Sequence, residues 1–370
     1  MNLLSDRISI TKYALERLKK RQEIAMKHNL SLDKILDLSL GDNLFIPPSL
    51  IQKVLEREIK SIDLRESYPI DYESFIEEIS RFAGVQTSSI YPGLTHNLLI
   101  QRIISKITKP HDSILLITPD KEIYFKIANN QNLDIHCVEL TDSFELDFTK
   151  ILEIANKSEL KAIIFSSPHY PTANQFNKDD VLTLAKETDI PIIVDESYVE
   201  FGKYSLVNQV EFFNNLTVVR SFSKAWGLGA TSCAYIVSNP EFVQSLKEEY
   251  FMEEIPPIHL LITNYVLQTP YKFVELINDF VTERKRVIER LKMFSGIKVF
   301  KSDTNFLFIK FRNEVKELYD QLCSKGIIVR TFEDFQPFKD REKTFLVTLG
   351  EARINDRFIV SFAELLESLL

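Results

Sequence analysis

Two short segments of this sequence combine residue types that can act together on an aldehyde. Lys224 follows the apolar stretch 217–220, inside the segment 221–227 with the sequence SFSKAWG. Asp195 and Tyr198 follow another apolar stretch, inside the segment 192–201 with the sequence IIVDESYVEF. A lysine amine forms an imine with an aldehyde, an acid keeps an aromatic ring nitrogen protonated, and a phenol hydrogen-bonds a ring oxygen. The sequence therefore predicts a joint role for Lys224, Asp195 and Tyr198.

The elements that must position these residues follow an alternating pattern. From about residue 86, helical patterns separate most of the short apolar stretches that predict buried parallel strands. These stretches are 113–118, 135–140, 162–166, 191–194, 217–220 and 234–237. Such alternation is typical of an α/β layered sheet, in which ligands bind outside the carboxyl ends of the strands. We therefore expect both segments to face one crevice.

The two ends of the chain predict a second unit. After about residue 260 a long charged helical pattern is followed by short strand and helix patterns, which predict a smaller α+β unit. A chain of 370 residues is long enough for two cores. We predict a large domain over residues 50–262 and a small domain formed by residues 1–49 together with residues 263–370.

The composition argues against several classes of partner. The net charge is −8 and the basic residues are dispersed, so we expect neither nucleic acid nor a membrane surface as a partner. Cys137, Cys233 and Cys323 are widely spaced, which predicts reduced thiols and no disulfide framework or metal site. Neither an N-terminal signal core nor a stretch of about 18 apolar residues occurs, so we expect a cytoplasmic protein.

Around the lysine and aspartate segments, the sequence resembles the histidinol-phosphate aminotransferase family, including its relative threonine-phosphate decarboxylase. These are fold-type-I enzymes that depend on pyridoxal 5′-phosphate (PLP). The similarity extends over nearly the whole chain and includes LGDNLF at 40–45, YP at 68–69, DTNF at 303–306, GIIVR at 326–330 and NDRF at 355–358. The resemblance implies an aspartate-aminotransferase-like large domain with a mostly parallel sheet, a smaller α+β domain and a homodimer.

The resemblance also implies roles for individual residues. Lys224 would hold PLP as a Schiff base and move the proton, Asp195 would pair with the ring nitrogen, and Tyr198 would contact the ring oxygen. A helix N-terminus suits an anion, and the further residues implied in cofactor binding are Ser221, Ser223, Gly93, Leu94, Thr95, Tyr170 and, from the partner subunit, Tyr68. The candidates for substrate binding are Arg330 and Asn43.

Four positions depart from the pattern of that family. Tyr170 stands where the family has an asparagine, and Lys121 stands where it has an aromatic residue stacked on the ring. Ser232 and Leu346 replace arginines that hold the cofactor phosphate and the anionic group of the substrate. Neither side chain can form the bidentate hydrogen bonds that an arginine makes with an anion. The phosphate and substrate anchors are therefore altered.

We predict PLP-dependent amino-group transfer between an amino acid or amine and a keto compound. A PLP-dependent decarboxylase or other chemistry at Cα remains the alternative, because one electron sink serves whichever bond is broken. A different class of function, a catalytically degenerate binding or scaffold relative, also remains open. The residues identify neither the substrate nor the choice between transamination and decarboxylation.

Overall fold

The computed structural model describes residues 12–61, 63, 65, 71–231, 233–250, 255–332 and 340–369. The strands are β1 Leu36–Asp37, β2 Ile90–Gly93, β3 Ser113–Thr118, β4 Asp134–Glu139, β5 Leu160–Ser166, β6 Ile192–Asp195, β7 Leu216–Ser221, β8 Ala234–Val237, β9 Ile297–Val299, β10 Phe306–Phe311, β11 Ile327–Ile328, β12 Arg330–Thr331 and β13 Thr344–Thr348. The helices are α1 Lys12–Lys27, α2 Pro48–Glu58, α3 Tyr72–Ala83, α4 His96–Ile107, α5 Glu122–Asn130, α6 Phe148–Lys157, α7 Lys178–Glu187, α8 Pro240–Glu249, α9 Pro257–Gln268, α10 Tyr271–Leu291, α11 Lys316–Ser324 and α12 Ala352–Leu369.

Seven strands form the large sheet, in the order β2-β8-β7-β6-β5-β3-β4. Strands β3 to β7 pair in parallel, which confirms the predicted mostly parallel sheet. The prediction that residues 234–237 form a parallel strand was wrong, because β8 runs antiparallel to both of its neighbours. The described residues between β7 and β8 form no helix, so the helical crossover that usually joins parallel strands is missing there.

The smaller sheet is antiparallel, with the order β12-β13-β10-β9, which confirms the predicted α+β character of this part of the chain. Strand β1, near the N-terminus, pairs with β11 from the C-terminal part. The large sheet lies within residues 90–237 and the smaller one within residues 297–348. The proposed division into residues 50–262 and the two flanking segments remains a prediction.

The segments that contain the predicted site residues lie at one edge of the large sheet. Asp195 at the end of β6 lies between Ser166 on β5 and Val219 on β7. Gly93 at the end of β2 and Ser221 at the end of β7 are both paired with Ala234, at the start of β8. The carboxyl ends of β2, β5, β6 and β7 therefore meet at this edge. None of the helices in the described part of the chain has the length and apolar character needed to cross a membrane.

Candidate active site

The lysine predicted to be catalytic lies in a tight turn after β7. Lys224 is the third residue beyond the end of that strand, and Gly227 closes the turn with a positive φ of 71°. The Lys224 Nζ donates a hydrogen bond of 3.2 Å to the carbonyl oxygen of Gly41. Burial lowers the pKa of this amine below its ordinary value, although Asp42 and Asp195 favour its charged form. A lowered pKa makes the neutral, nucleophilic amine more available.

Asp195 is fully buried and accepts four hydrogen bonds. Its Oδ1 accepts from the backbone N–H of Ser197 at 2.9 Å and from the Ser197 hydroxyl. Its Oδ2 accepts from the Lys121 Nζ at 2.6 Å and from the Tyr124 hydroxyl at 2.8 Å. Burial alone would raise the pKa of this carboxyl, but Lys121 and His96 outweigh burial and lower the pKa well below its ordinary value. Asp195 is therefore held as a carboxylate.

Tyr198 lies between the two lysines of the site. Its ring centroid is 5.3 Å from the Lys121 Nζ and 5.6 Å from the Lys224 Nζ. Phe306 packs edge-on against the Tyr198 ring at 5.3 Å and against the Tyr170 ring at 5.7 Å. The structure thus brings Lys224, Asp195 and Tyr198 together, and Tyr170 contacts the same Phe306 ring as Tyr198.

Gly41 keeps space open beside the lysine amine. Its φ is +61°, and a Cβ on this residue would lie 3.0 Å from the Tyr198 hydroxyl oxygen and 3.8 Å from the Lys224 Nζ. Its backbone N–H donates to the Thr348 Oγ1 at 2.8 Å. A side chain at position 41 would therefore strain the backbone and enter the space that a ligand on Lys224 needs.

Asn43 supports the lysine turn. Its Nδ2 donates to the carbonyl oxygens of Lys224 at 2.8 Å and of Ala225 at 3.1 Å. Its Oδ1 accepts from the backbone N–H groups of Phe45 and Ile46. Two donated and two accepted bonds use the full capacity of an amide side chain. The geometry therefore gives no support to the prediction that Asn43 binds substrate.

The predicted phosphate-binding residues lie at the same sheet edge. The Ser221 and Ser223 hydroxyl oxygens are 2.7 Å apart, and the Thr95 hydroxyl caps α4 by accepting from the backbone N–H of Leu98. Leu94, half-buried, separates Gly93 from Thr95. A Cβ at Gly93 would lie 2.4 Å from the Leu99 side chain, so any larger residue where β2 turns into α4 would require the buried Leu99 to shift. These hydroxyls and the α4 N-terminus provide donors suited to a phosphate.

The histidines beside the site have different surroundings. His96 is the first residue of α4, and burial lowers its pKa to about 4, so it is neutral near pH 7. His169 is fully buried, with its Nδ1 2.7 Å from the Thr172 Oγ1 and its Nε2 3.4 Å from Asp120. Asp120 also accepts two hydrogen bonds from Ser166. His169 therefore belongs to a buried network that fixes the loop leading to Tyr170.

The predicted substrate residue Arg330 lies on the small sheet, directly opposite Leu346 in the pairing of β12 with β13. Its Nη2 is 3.2 Å from the Glu122 Oε1, at the start of α5, which follows β3 of the large sheet. Directly opposite residues on antiparallel strands point to the same face of the sheet. Arg330 therefore emerges beside the position where the family has its anion-binding arginine. The predictions for Tyr68 and Ser232 concern positions outside the described residues.

Sequence reasoning missed two partners of Asp195. Lys121 was expected only as the replacement for a stacking aromatic, and no bond from Tyr124 to Asp195 was expected. Both instead donate to the Asp195 Oδ2. The available signal was their position directly after β3, since its carboxyl end meets the same sheet edge as that of β6.

The donor set fits PLP at most points. A buried amine at Lys224, the open space beside Gly41, the Tyr198 hydroxyl and the Ser221–Ser223 pair are the groups that an aldehyde, a ring oxygen and a phosphate require. Asp195 is an ionised acid of the kind that a ring nitrogen requires. Its hydrogen-bond positions, however, are already taken by side chains and backbone of this protein.

Comparisons with known proteins agree with this geometry. Residues 33–350 match the family model described as Aminotransferase class I and II. The histidinol-phosphate aminotransferase of Thermoanaerobacter sp. (strain X514) is 28% identical over 356 residues, which cover 94% of this chain and 98% of that protein.

Two solved structures share the fold. The histidinol-phosphate aminotransferase of Sinorhizobium meliloti, in complex with pyridoxal-5′-phosphate, has a TM-score of 0.83 and 16% identity, with 95% of each chain covered. The L-threonine-O-3-phosphate decarboxylase of Porphyromonas gingivalis has a TM-score of 0.76 and 18% identity, with 90% of this chain and 100% of that chain covered. The family match over most of the sequence, together with this fold, assigns the chain to the class I and II aminotransferases, which are PLP-dependent enzymes of amino-group transfer.

Proposed function

We propose that this enzyme transfers an amino group between a keto compound and an amine or amino acid that carries an anionic group. The observation that carries the proposal is that the Lys224 Nζ and the Lys121 Nζ, which donates to Asp195, lie 5.6 Å and 5.3 Å from the centroid of the Tyr198 ring. An amine with a lowered pKa and a carboxylate held ionised are the two groups that amino transfer on PLP requires.

PLP, when bound, supplies an aldehyde for the imine and a ring that accepts electrons from the bond broken at Cα. Lys224 provides the amine and then serves as the base that moves the proton from Cα, because its pKa is lowered by burial. Asp195 would hold the ring nitrogen and Tyr198 would donate to the ring oxygen. Tyr170, which also packs against Phe306, would be a second phenol for that oxygen.

Uncharged hydrogen-bond donors bind the phosphate group of the cofactor. Ser221 and Ser223 provide hydroxyls, and the turn Gly93-Leu94-Thr95 provides backbone N–H groups at the start of α4. Helix N-termini favour anions. Because the family's arginine is replaced by Ser232, the phosphate is held mainly by hydrogen bonds and the helix terminus.

Arg330 binds the anionic group of the substrate. Its guanidinium group emerges beside Leu346 and is engaged by Glu122, which a substrate carboxylate or phosphate can replace. An arginine with a carboxylate partner is pre-oriented for a second anion of similar shape. The substrate class is therefore an anionic amine, with the anion on the small-domain side of the crevice. The Thermoanaerobacter relative is a histidinol-phosphate aminotransferase, and a phosphorylated amine fits this class.

We also infer a cytoplasmic homodimer. Tyr68 belongs to the similarity that implies a tyrosine reaching the partner subunit's phosphate, so each site would need two subunits. Free thiols at Cys137, Cys233 and Cys323 agree with a reducing compartment. Light scattering at micromolar concentration tests the dimer; a fully active monomer contradicts it.

The decisive experiment combines PLP with a panel of amino acids, phospho-amino acids and simple amines. We expect a PLP absorbance band that Lys224→Ala abolishes, borohydride trapping of PLP on Lys224, and conversion of the band to that of pyridoxamine phosphate by an anionic amine. Release of CO₂ instead would make the enzyme a decarboxylase. No trapping on Lys224 and no spectral change with any compound would identify a catalytically silent relative.

A further inference from the structure

The acid predicted to hold the cofactor ring nitrogen has no free hydrogen-bond position. A carboxylate offers about four lone-pair sites. In Asp195 two of them accept from Ser197, one from the Lys121 Nζ and one from the Tyr124 hydroxyl. A ring N–H can therefore reach this carboxylate only if one of these donors leaves.

Lys121 is the donor best able to leave. Ser197 is two residues from Asp195 in the same turn, so its backbone N–H is fixed by the chain, and the Tyr124 side chain is fully buried. The Lys121 side chain retains 12% exposure and carries four rotatable bonds. It is also the only one of these donors that brings a positive charge, which is the charge that a protonated ring nitrogen brings.

We propose that Lys121 is a tethered competitor of the cofactor: its ammonium group occupies the ring-nitrogen position on Asp195 and must be displaced before PLP can bind there. This inference rests on the proposed PLP site at Lys224 and deepens it. The exchange replaces one cation on Asp195 by another, so the carboxylate stays paired throughout. In the cofactor-free protein, the lysine thereby neutralises the charge of the buried carboxylate. Without this pairing, the buried charge would destabilise the fold.

The competition has a direct consequence for affinity. The 2.6 Å contact between the Lys121 Nζ and the Asp195 Oδ2 must break when PLP binds. The free energy needed to break this contact makes the net binding of PLP weaker. Removal of the ammonium group leaves Asp195 with a vacant position and an uncompensated charge, and both favour a protonated ring nitrogen. We expect Lys121→Met to lower the Kd for PLP by about tenfold or more, which is about 1.4 kcal/mol per factor of ten.

The test measures equilibrium binding of PLP, not turnover. Trp226 is the only tryptophan and lies two residues from Lys224, so quenching of its fluorescence by added PLP reports the Kd. Wild type, Lys121→Met and Lys121→Gln are titrated with PLP, and borohydride trapping followed by peptide mapping identifies the modified lysine. Gln retains a neutral donor to Asp195, so it should give an intermediate Kd. Lys157→Met removes an exposed lysine paired with Glu153 on α6 and should bind PLP as wild type does.

Thermal unfolding of the same proteins without PLP checks that each variant is folded. Tighter binding by Lys121→Met, with the label on Lys224, supports the competition. Equal Kd values for wild type, Lys121→Met and Lys121→Gln, with Lys224 labelled in all three, overturn the competition and leave the proposed function intact. Absence of PLP binding by every variant overturns the proposed function and the competition together. Binding by Lys121→Met but not by wild type would be the strongest support.

Discussion

The Arg330 Nη2 and the Glu122 Oε1, 3.2 Å apart, join the small sheet to the first turn of α5. Glu122 follows Lys121 directly, so the start of α5 carries both the residue that contacts Asp195 and the residue that contacts Arg330. The two side chains are each more than a third exposed, and such an ion pair contributes little to stability. In the proposed mechanism, an anionic substrate replaces this contact.

Arg330→Ala should therefore weaken substrate action more than cofactor binding. We expect KM for an anionic amine to rise by about tenfold or more, since a charge-assisted contact is lost, while the Kd for PLP stays near that of wild type. Glu122→Gln should lower KM for the same substrate, because it removes the competing carboxylate. Steady-state kinetics and PLP titration measure the two quantities. Equal losses of substrate action and PLP affinity in Arg330→Ala would show that Arg330 lies elsewhere in the mechanism.

Asn43→Asp should destabilise the turn that carries Lys224. The substitution retains an oxygen for the N–H groups of Phe45 and Ile46, but it removes the donors to the carbonyl oxygens of Lys224 and Ala225. The expected loss is about 1–3 kcal/mol in the free energy of unfolding, measured by urea titration. Borohydride trapping of PLP on Lys224 should also slow. Asn129→Ala, at an exposed position of α5, is the matched control, and a loss in the control as large as in Asn43→Asp would refute this reading.

The Lys121–Asp195 pair should show strong coupling in a double-mutant cycle. Asp195→Asn leaves a mostly buried ammonium group without its carboxylate, and Lys121→Met leaves a buried carboxylate without its ammonium group. Each single variant should lose about 3–5 kcal/mol of unfolding free energy, and the double variant should lose less than the sum. Urea unfolding without PLP measures all four proteins. Additive losses would mean that the two charges do not interact in solution.

Glu196 should make stability fall as the pH rises from about 4.5 to about 7. Burial raises its pKa from the ordinary 4.5 to about 7, against the opposing effect of Arg220. The folded protein then binds a proton that the unfolded chain has already lost, so this contribution is full below pH 4.5 and disappears as the pH rises through about 7. It amounts to about 3 kcal/mol. Urea unfolding at several pH values should show a smaller fall for Glu196→Gln than for wild type or for the exposed control Glu187→Gln. An identical fall in all three would contradict the assignment.

The sequence alone determined the chemical groups and the edge of the sheet on which they lie. Lys224, Asp195 and Ser221 each come after a recognisable apolar stretch that forms a strand, because a buried parallel strand leaves a continuous apolar run, whereas Gly93 came only from the family resemblance. Parallel strands bring their carboxyl ends to one edge, so adjacency of these residues followed from local patterns. The direction of β8 did not follow, because direction depends on the length and path of a connection.

The tertiary structure decided which side chains occupy the hydrogen-bond positions of those groups. Lys121 reaches Asp195 across 74 residues of sequence, and Asn43 reaches the Lys224 turn across 181. Arg330 came to lie beside the Leu346 position through the register of β12 against β13. Contacts of this kind depend on strand order, register and rotamer, and each is set by packing of the whole core. A pattern along the chain can therefore place an acid at a sheet edge, but the partner of that acid emerges only when the sheet is assembled.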